Sequence, residues 1–370
     1  MTSRRRFSRV LTLTAALAAV ALATTVSSAA SQATEEALSP QQLAGQRVIY
    51  SYPGLTPPAA LLDRIKAGQA AGVIFFRENI SSIAQIASVT AQLKKAAAQS
   101  PVREPLLLMT DQEGGQVRRL PGAPAISEEE IGNSADPAGQ ARAAGTGAGK
   151  NLVSAGMNVN LAPVLDVFRQ PGDFLDRYQR SYSMDPRVAS TAGQAFITAQ
   201  QQTGVAATAK HFPGLGSATT SQDTDAAPVT LTAPLSTLRS VDEYPYPAAI
   251  SAGVKLVMTS WAVYPALDAD HPAGLSPAVV QQELRGRLGF QGVTITDALE
   301  AGALGAFGDT GQRAVTAAGA GMDLILCSAR DTGQGDTAVT ALANALQSGQ
   351  LDPAAFDSAV QRVRGLRQNP

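Results

Sequence analysis

The sequence is poor in the residues that usually bind metals or form disulfides. Its 370 residues include one cysteine, two histidines and one tryptophan, and aromatic residues make up 5% of the chain. The single cysteine, Cys327, excludes an intrachain disulfide, and without closely spaced histidine or cysteine ligands we predict no metal site. The chain also has no GxSxG turn, P-loop or dinucleotide-binding glycine motif, so we predict no cofactor.

The first 30 residues have the composition of an export signal. "MTSRRRFSRV" is basic, an apolar run of small residues follows, and Ser28-Ala29-Ala30 provides a small-residue cleavage site. The apolar run is too short and too rich in alanine and threonine to predict a membrane span. "SRRRFSR" also resembles a twin-arginine signal for export in the folded state, the alternative being an ordinary secretory signal with extra arginines. We therefore predict an export signal over residues 1–30 and a secreted protein.

The remaining chain is mildly acidic. Cleavage after residue 30 would remove four arginines and no acidic residue, so the formal charge would change from −1 to −5. This balance argues against nucleic acid or an anionic membrane surface as a partner. No cysteine stands near the cleavage site to carry a lipid, and 45% hydrophobic residues suffice for a large core. We expect a released, soluble protein without stable membrane insertion, and the sequence indicates no oligomeric state.

Short apolar runs alternate with helix-like stretches along the rest of the chain. The runs are continuous rather than alternating in polarity, which is typical of strands buried on both faces of a parallel sheet. Several helix-like stretches end in glycine just before the next run, the usual signal for the end of a helix. The apolar runs are "RVIYSY" (47–52), "AGVIFF" (71–76), "PLLLMTD" (105–111), "NVNLAPVLDV" (158–167), "VAATAKHF" (205–212), "KLVMTSW" (255–261), "GVTITDA" (292–298) and "MDLILC" (322–327).

This alternation predicts an α/β fold, a single (β/α)₈ TIM barrel built from eight strands over roughly 320 residues. The alternative, an open doubly wound sheet, is disfavoured by the number of strands. No linker or block of charge divides the chain after residue 40, so we predict one domain over residues 36–370. Polar residues stand at the C-terminal ends of the predicted strands, where TIM barrels carry their active sites. They are Asp111, Asp166, Lys210, His211, Ser260 and Asp297.

Two of the carboxylates at these strand ends, Asp297 and Asp111, each have two alternative roles. Asp297 follows the β-branched run of "TITDALEAG" and is either a catalytic group or the N-cap of a helix over the next residues. In "MTDQEGGQVRRLPG", Asp111 precedes two glycines that permit a tight turn, and Arg118 and Arg119 follow. A carboxylate and a guanidinium together can hold adjacent sugar hydroxyls, the alternative being a structural ion pair.

Lys210 and His211 stand side by side at the end of a predicted buried strand. Burial of both side chains would be costly unless each is paired or serves a ligand. The loop that follows, "PGLGSATTSQDTD", is rich in glycine and small hydroxyl residues and closes on Asp223 and Asp225. The pattern therefore indicates two polar groups at the start of a polar, flexible loop.

Seven motifs occur in the order found in family 3 glycoside hydrolases. They are "GVIFFREN", "MTDQEGGQVRRLPG", "NLVSAGMNVNLAPVLDV", "QRSYSMDP", "AKHFPGLG", "SPAVVQQELRGRLGFQGVTITDALEAGAL" and "AGAGMDLIL". Across almost all of residues 40–370 the chain resembles the single-barrel β-N-acetylhexosaminidase type of this family. The resemblance implies a TIM barrel that hydrolyses terminal β-linked N-acetylglucosamine with retention of configuration, using a nucleophile and a separate acid/base.

The resemblance also implies roles for individual residues. Asp297 in "TDAL" matches the nucleophile of the family, which favours the catalytic role over a helix cap. The other matching positions bind the sugar in the family. These substrate-binding positions are Asp111, Arg119, Arg180, Lys210 and His211.

The acid/base is where the chain departs from the family pattern. The family loop carries an Asp-Ser-His triplet whose histidine is the acid/base, whereas this chain has Asp223-Thr224-Asp225; "KHFPGHG" of the family also reads "KHFPGLG" here, with Leu215. An ordinary carboxyl is mostly ionised at neutral pH, but two close aspartates can raise each other's pKa. Asp225 or Asp223 is therefore the provisional acid/base, the alternative being a plain loop acid facing water. His271 is predicted to be a surface-loop histidine.

The sequence thus predicts an exported O-glycosyl hydrolase, a β-N-acetylhexosaminidase acting on N-acetylglucosamine in cell-wall or chitin-derived saccharides. Among enzymes, the alternative is a β-glycosidase with another sugar preference. Outside enzymes, the alternative is a sugar-binding protein that kept the pocket and lost the acid.

Overall fold

Eight parallel strands form a closed barrel in the computed structural model, which describes residues 38–370; the predicted export signal lies outside that range. The barrel strands are β1 (Val48–Tyr50), β2 (Gly72–Ile74), β3 (Leu107–Thr110), β4 (Val159–Asn160), β5 (Ala206–Phe212), β6 (Leu256–Thr259), β7 (Val293–Ile295) and β8 (Ile325–Leu326). Val48 of β1 pairs with Ile325 of β8, and a parallel bridge between Ile295 and Leu324 joins β7 to β8. The predicted TIM barrel is confirmed.

Helices follow the strands and cover the outside of the barrel. They are α1 (Pro40–Gly45), α2 (Ala59–Lys66), α3 (Ile83–Ala97), α4 (Glu128–Gly132), α5 (Pro137–Ser154), α6 (Pro186–Gln201), α7 (Leu235–Thr237), α8 (Tyr246–Ser251), α9 (Thr310–Ala320), α10 (Thr332–Gln347) and α11 (Pro353–Gln368). Two further segments, Leu238–Asp242 and Ala278–Arg287, have π-helical hydrogen bonding. None of the helices within residues 38–370 is both long and apolar enough to cross a membrane.

Each predicted apolar run contains one barrel strand, but the strands are shorter than the runs. β4 is the extreme case, because only two residues pair continuously and the chain then meets β5 through a single bridge between Val164 and Lys210. The residues beyond each strand turn away from their neighbours to build the loops of the barrel mouth. The parallel strands therefore form a short, rigid barrel wall that carries these loops.

The interior of the barrel is filled by apolar side chains from successive strands. Ile49, Met109, Val159, Leu256 and Ile295 belong to one buried cluster and are at most 2% exposed. Each fully buried side chain of this size contributes roughly 1.5–3 kcal/mol of transfer free energy. Because this core lies below the C-terminal ends of the strands, it fixes the positions from which the polar side chains project.

Candidate active site

An ion-pair network lies at the C-terminal ends of β3 and β5. Lys210, in β5, is almost fully buried; its Nζ donates to Asp111 Oδ1 at 2.9 Å and lies 2.8 Å from Glu113 Oε1. Asp111 directly follows β3, and Glu113 lies two residues later in a short hairpin made by Gln112–Gly114 and Val117–Arg118. The two strand ends therefore bring two carboxylates into contact with one ammonium group.

Arg180 completes this network from the loop between β4 and α6. Its Nε and Nη2 donate to the two oxygens of Glu113 at 2.8 and 2.9 Å, which is a bidentate pair. Glu113 is only 1% exposed, and the sequence analysis does not identify it. The signal for it was its position two residues after Asp111, since alternate residues of an extended chain point to the same side.

The charges of the network keep one another ionised. Burial alone would raise the pKa of Asp111, but the positive charges of Lys210 and Arg119 lower it to about 2. The pKa of Glu113 is also lowered, because the charges of Arg180 and Lys210 outweigh the effect of burial. Burial would lower the pKa of Lys210, yet the two carboxylates raise it. The network therefore presents charged acceptors and donors, which suit the hydroxyl groups of a sugar.

Arg119 lies at the more open side of the network. Its Nε is 3.8 Å from Asp111 Oδ2, which is an ion pair but too long for a hydrogen bond. This Nε is buried and has no hydrogen-bond partner among residues 38–370. A buried donor without a partner is costly for the protein alone, so a ligand oxygen could satisfy it.

His211 is oriented by Asp166. Its Nδ1 lies 2.7 Å from Asp166 Oδ2, and its backbone N–H donates to the same oxygen at 3.1 Å. The other carboxylate oxygen accepts the backbone N–H of Leu215. The peptide bond between Lys210 and His211 is cis. Because Nδ1 is engaged by a carboxylate, Nε2 is the ring nitrogen that remains for a ligand.

Asp297 follows β7 and stands in a loop rather than at the start of a helix. Its Oδ1 accepts the N–H of Ala298 at 2.7 Å, and residues 298–301 are not helical. The next α-helix is α9, and its N-cap is Asp309. The helix-cap alternative for Asp297 is therefore wrong, while its catalytic role stays a prediction. Trp261 fixes the same loop by donating from Nε1 to the carbonyl of Ala298 at 2.8 Å.

The loop that contains Asp223 and Asp225 is tied to the segment after Asp297. The N–H of Gly302 donates to the carbonyl of Asp225 at 2.8 Å, and a side chain at Gly302 would collide with the carbonyl of Ala226. Asp223 Oδ1 accepts the backbone N–H of Asp225 at 2.9 Å. Asp223 is therefore occupied in shaping the loop, which leaves the carboxyl of Asp225 as the freer of the two.

Asp225 is an exposed residue, yet the atoms packed around its carboxyl disfavour ionisation. Burial among the surrounding atoms and the negative charge of Asp297 raise its pKa to about 6, with a further contribution from Asp223. The positive charge of Arg180 and the ring of His211 act in the opposite direction. Asp297, Asp223, Arg180 and His211 therefore lie close enough to Asp225 to act on its charge. A carboxyl with this pKa is partly protonated near neutral pH and can donate a proton.

A second buried acid, Glu128, lies behind the ion-pair network. It is 1% exposed; its Oε1 accepts the N–H of Val164 at 3.0 Å, and its Oε2 has no hydrogen-bond partner within the described part of the chain. Burial and the charge of Glu113 raise its pKa well above the usual range. The environment of Glu128 therefore favours the neutral form of its carboxyl. The sequence hides it, because "SEEE" is also the normal start of a helix, and Ser127 does cap α4.

Other polar groups do not extend the cluster. Among residues 38–370, no group of three or more histidine, cysteine, aspartate or glutamate side chains is arranged to hold a metal ion. His271 lies on a separate hairpin, formed by Val263–Tyr264 and Asp268–Pro272, with its Nδ1 3.4 Å from Asp268 Oδ2. Its side chain is 44% exposed, as expected for a surface-loop histidine.

Known proteins resemble this chain along most of its length. The family model described as the glycosyl hydrolase family 3 N-terminal domain matches residues 41–366. A protein of Arthroderma benhamiae, described as a secreted glycosyl hydrolase, is 44% identical over 326 residues, which cover 88% of this chain and 92% of that protein.

Two solved structures contain the same barrel. A family 3 β-N-acetylglucosaminidase from a Paenibacillus species has a TM-score of 0.85 and 35% identity, and the match covers 90% of this chain but 63% of that one. A β-N-acetylhexosaminidase from Beutenbergia cavernae has a TM-score of 0.80 and 33% identity, covering 90% of this chain and 99% of the other. The predicted resemblance and the prediction of a glycosyl hydrolase are therefore confirmed, and the roles of individual residues stay predictions.

Proposed function

Because this chain belongs to glycosyl hydrolase family 3, we propose that it is an exported, retaining enzyme that removes terminal β-linked N-acetylglucosamine from cell-wall or chitin-derived saccharides. The names of the Paenibacillus and Beutenbergia proteins support this choice of sugar, and the description of the Arthroderma protein supports export. The sugar would lie over the ion-pair network, where charged donors and acceptors face its hydroxyl groups.

The observation that carries the proposal is the proximity of Asp297 to Asp225. The charge of Asp297 acts on the carboxyl of Asp225, and the loop of Asp225 is hydrogen-bonded to the residues that follow Asp297. Retaining hydrolysis requires two such groups in different protonation states, an ionised nucleophile and a protonated acid. The raised pKa of Asp225 provides that difference.

Asp297 would attack the anomeric carbon while Asp225 donates its proton to the leaving oxygen. The bond between the sugar and the leaving group breaks, and an ester bond forms between the sugar and Asp297. Asp225, now ionised, would then take a proton from water as that water attacks the anomeric carbon and releases Asp297. The sugar leaves with its original configuration, and both carboxyls return to their starting states.

The charge of Asp297 makes this change of role favourable. In the free enzyme, the negative charge of Asp297 helps to raise the pKa of Asp225 and so increases the protonated fraction of the acid. Ester formation removes that charge, so the pKa of Asp225 falls when the carboxylate form is needed as a base. Asp225 is thus an acid before the first step and a base after it.

The remaining predicted residues would hold the sugar. Lys210 and Arg180 keep Asp111 and Glu113 ionised, and Asp111 can accept hydrogen bonds from two hydroxyl groups. His211 offers Nε2, because Nδ1 is held by Asp166. This ionised, pre-positioned network lowers the cost of ordering the sugar.

The test is hydrolysis of 4-nitrophenyl β-N-acetylglucosaminide, followed by proton NMR to identify the first-formed anomer. We expect the β anomer first, with little activity on the matching β-glucoside. The α anomer first would exclude retention, and preference for the glucoside would indicate another sugar specificity. A protein that binds N-acetylglucosamine without turning over the aryl glycoside would be a sugar-binding protein instead.

A further inference from the structure

We propose that a cavity at the N-terminal ends of the barrel strands binds an amphipathic carboxylate, a molecule with one anionic end and an alkyl chain. The cavity has a volume of about 440 Å³, within the range of ligand pockets. It lies between the loop that joins α8 to β6, the segment before β7 and the last two turns of α11.

The cavity lies at the opposite end of the barrel from the candidate active site. Gly292 lines it and directly precedes β7, whereas Asp297 stands beyond the other end of that strand. Five residues of extended chain span roughly 16 Å, so a ligand here would not touch a sugar at Asp297. Binding at this cavity therefore does not depend on the proposed hydrolysis.

Much of the cavity wall is apolar. Val254, Phe290 and Leu366 are buried residues that line it, and Ile250 and Val293 belong to the same wall. An alkyl chain that moves from water onto such a surface gains the free energy of the hydrophobic effect. The wall therefore suits the apolar part of an amphipathic ligand.

Gly365 leaves space in the cavity that another residue would fill. It is the only glycine of α11, and a Cβ atom at this position would meet no atom within 4 Å. Glycine weakens a helix relative to alanine, so a glycine inside a helix calls for a reason. At Gly145 of α5 the reason is close packing, because a Cβ atom there would lie 2.4 Å from the backbone of Phe196. Gly365 has no such contact, and its missing side chain keeps the cavity open.

The charged residues that line the cavity are both basic. Lys255 is half-buried, and its ammonium group makes no hydrogen bond or ion pair within residues 38–370. Arg362 donates from Nε and Nη2 to the carboxylate of Asp323, with a shortest distance of 2.8 Å. Its Nη1 has no hydrogen-bond partner in the described part of the chain. Two cationic donors at the cavity are therefore available to a ligand.

The surroundings of Arg362 leave positive charge uncompensated. Asp323 also accepts from Arg285 at 2.6 Å, and the nearby Arg47 donates only to carbonyl oxygens. Arg285 stands directly behind the cavity wall, because its Nη1 donates to the carbonyl of Phe290 at 3.3 Å. Three guanidinium groups thus surround one carboxylate. This excess of positive charge, beside a cavity that no acidic residue of the described chain lines, favours an anionic ligand.

A carboxylate on an alkyl chain meets both conditions. Its oxygens can accept hydrogen bonds from Lys255 Nζ and Arg362 Nη1 while its chain covers the apolar wall. A neutral apolar molecule would leave both cationic donors without a partner, and a small inorganic anion would leave the wall in contact with water.

The experiment compares two ligands that share one alkyl chain and differ in charge. Calorimetric titration of the whole chain measures binding of decanoate and of 1-decanol, both below the concentration at which they aggregate. We expect decanoate to bind about tenfold more tightly at low salt, with the ratio falling as salt rises. In Lys255→Gln, decanoate binding should weaken by about threefold or more, while decanol binding should not change.

Gly365→Leu tests the location of the site. Leucine has room at this position and a higher helix propensity than glycine, so the melting temperature should equal or exceed that of the wild type while both ligands lose binding. The matched control for Lys255→Gln is Lys150→Gln, at an exposed lysine of α5, which should bind both ligands as the wild type does.

Three results would overturn the proposal: no binding of decanoate to the wild type, equal affinity for the two ligands, or wild-type binding by Gly365→Leu. A wild-type dimer in sedimentation that Gly365→Leu abolishes would also overturn it, because the cavity would then be an interface between two copies of the chain.

Discussion

Replacement of Asp225 by alanine should damage the cleavage of a natural disaccharide far more than the cleavage of an aryl glycoside. The natural leaving oxygen needs a proton, whereas nitrophenolate leaves without one. With its pKa at about 6 instead of 3.8, Asp225 is protonated in about one-tenth of molecules at pH 7, instead of about 0.06%. The active-site environment therefore increases the competent acid form roughly 100-fold at that pH.

The expected loss for the disaccharide is about 10²–10⁴-fold in kcat/KM, the usual contribution of general acid catalysis. In the wild type, kcat/KM for the disaccharide should decline as pH rises through about 6, because Asp225 then loses the proton that it must donate. The alanine variant should lack this basic limb. Azide should accelerate its reaction with the aryl glycoside, because an anion can attack the glycosyl-enzyme without a base.

Two further variants separate the roles of the aspartates in this loop. Asp223→Asn keeps an oxygen that can accept the Asp225 N–H but removes a charge, so the basic limb should shift to lower pH. Asp357 is an exposed aspartate of α11, and Asp357→Ala is the matched control, which should leave kcat/KM for both substrates unchanged. If alanine at Asp225, at Asp223 and at both slows the two substrates equally, the loop contains no acid/base and the reasoning fails.

Three other variants test the rest of the arrangement. Asp297→Asn should abolish turnover, keep sugar binding and lower the pKa of Asp225, because it removes the nucleophile and its negative charge. The pKa is measured by ¹³C NMR of labelled aspartate. Turnover within tenfold of wild type would exclude Asp297 as the nucleophile. Lys210→Ala should weaken N-acetylglucosamine binding by roughly 1–3 kcal/mol and also lower thermal stability, because two buried carboxylates lose their cation, whereas exposed Lys150→Ala should do neither. Asp242 is 1% exposed, and burial raises its pKa to about 7. Its contribution to stability is therefore present below about pH 4 and is lost as pH rises through 7. In thermal unfolding experiments, the stability of Asp242→Asn should decline less between about pH 5 and pH 8 than that of the wild type.

The fold was predictable because buried parallel strands appear in the sequence as continuous apolar runs. Each strand lies inside a continuous apolar run, and the polar residues near the ends of five of these runs were expected at the barrel mouth. Helix α5 is different, since "PAGQARAAGTGAGKNLVS" contains four glycines and has low helix propensity. A side chain at Gly145 would collide with the backbone of α6 at Phe196, and one at Gly149 with Thr203. These glycines serve close packing against α6, a tertiary cause that helix propensity does not contain.

The residues of the site also differ in how far the sequence predicts them and how far only tertiary contacts explain them. Asp111 and Lys210 stand at strand ends and could be found from sequence, whereas the ionisation states of Glu113 and Glu128 depend on the residues that bury them. Two cations lower the pKa of Glu113, whereas burial and then the charge of Glu113 raise the pKa of Glu128. Such states depend on contacts between distant parts of the chain, so no local pattern can predict them.

The same physics explains how an aspartate can fill the proposed role of the acid, for which the family pattern uses a histidine. A protonated histidine would be a cation, and the negative charge of Asp297 would attract it. A protonated aspartate is neutral, so Asp297 acts on it only by repelling the ionised form. In both cases the charge of Asp297 raises the pKa of the acid, and loss of that charge in the ester lowers it. Burial adds to this effect for an aspartate but opposes it for a histidine, and burial is the largest cause of the raised pKa of Asp225. With a pKa of about 6, Asp225 titrates close to the ordinary range of histidine, so the substitution can preserve the working pH of the acid while changing its charge.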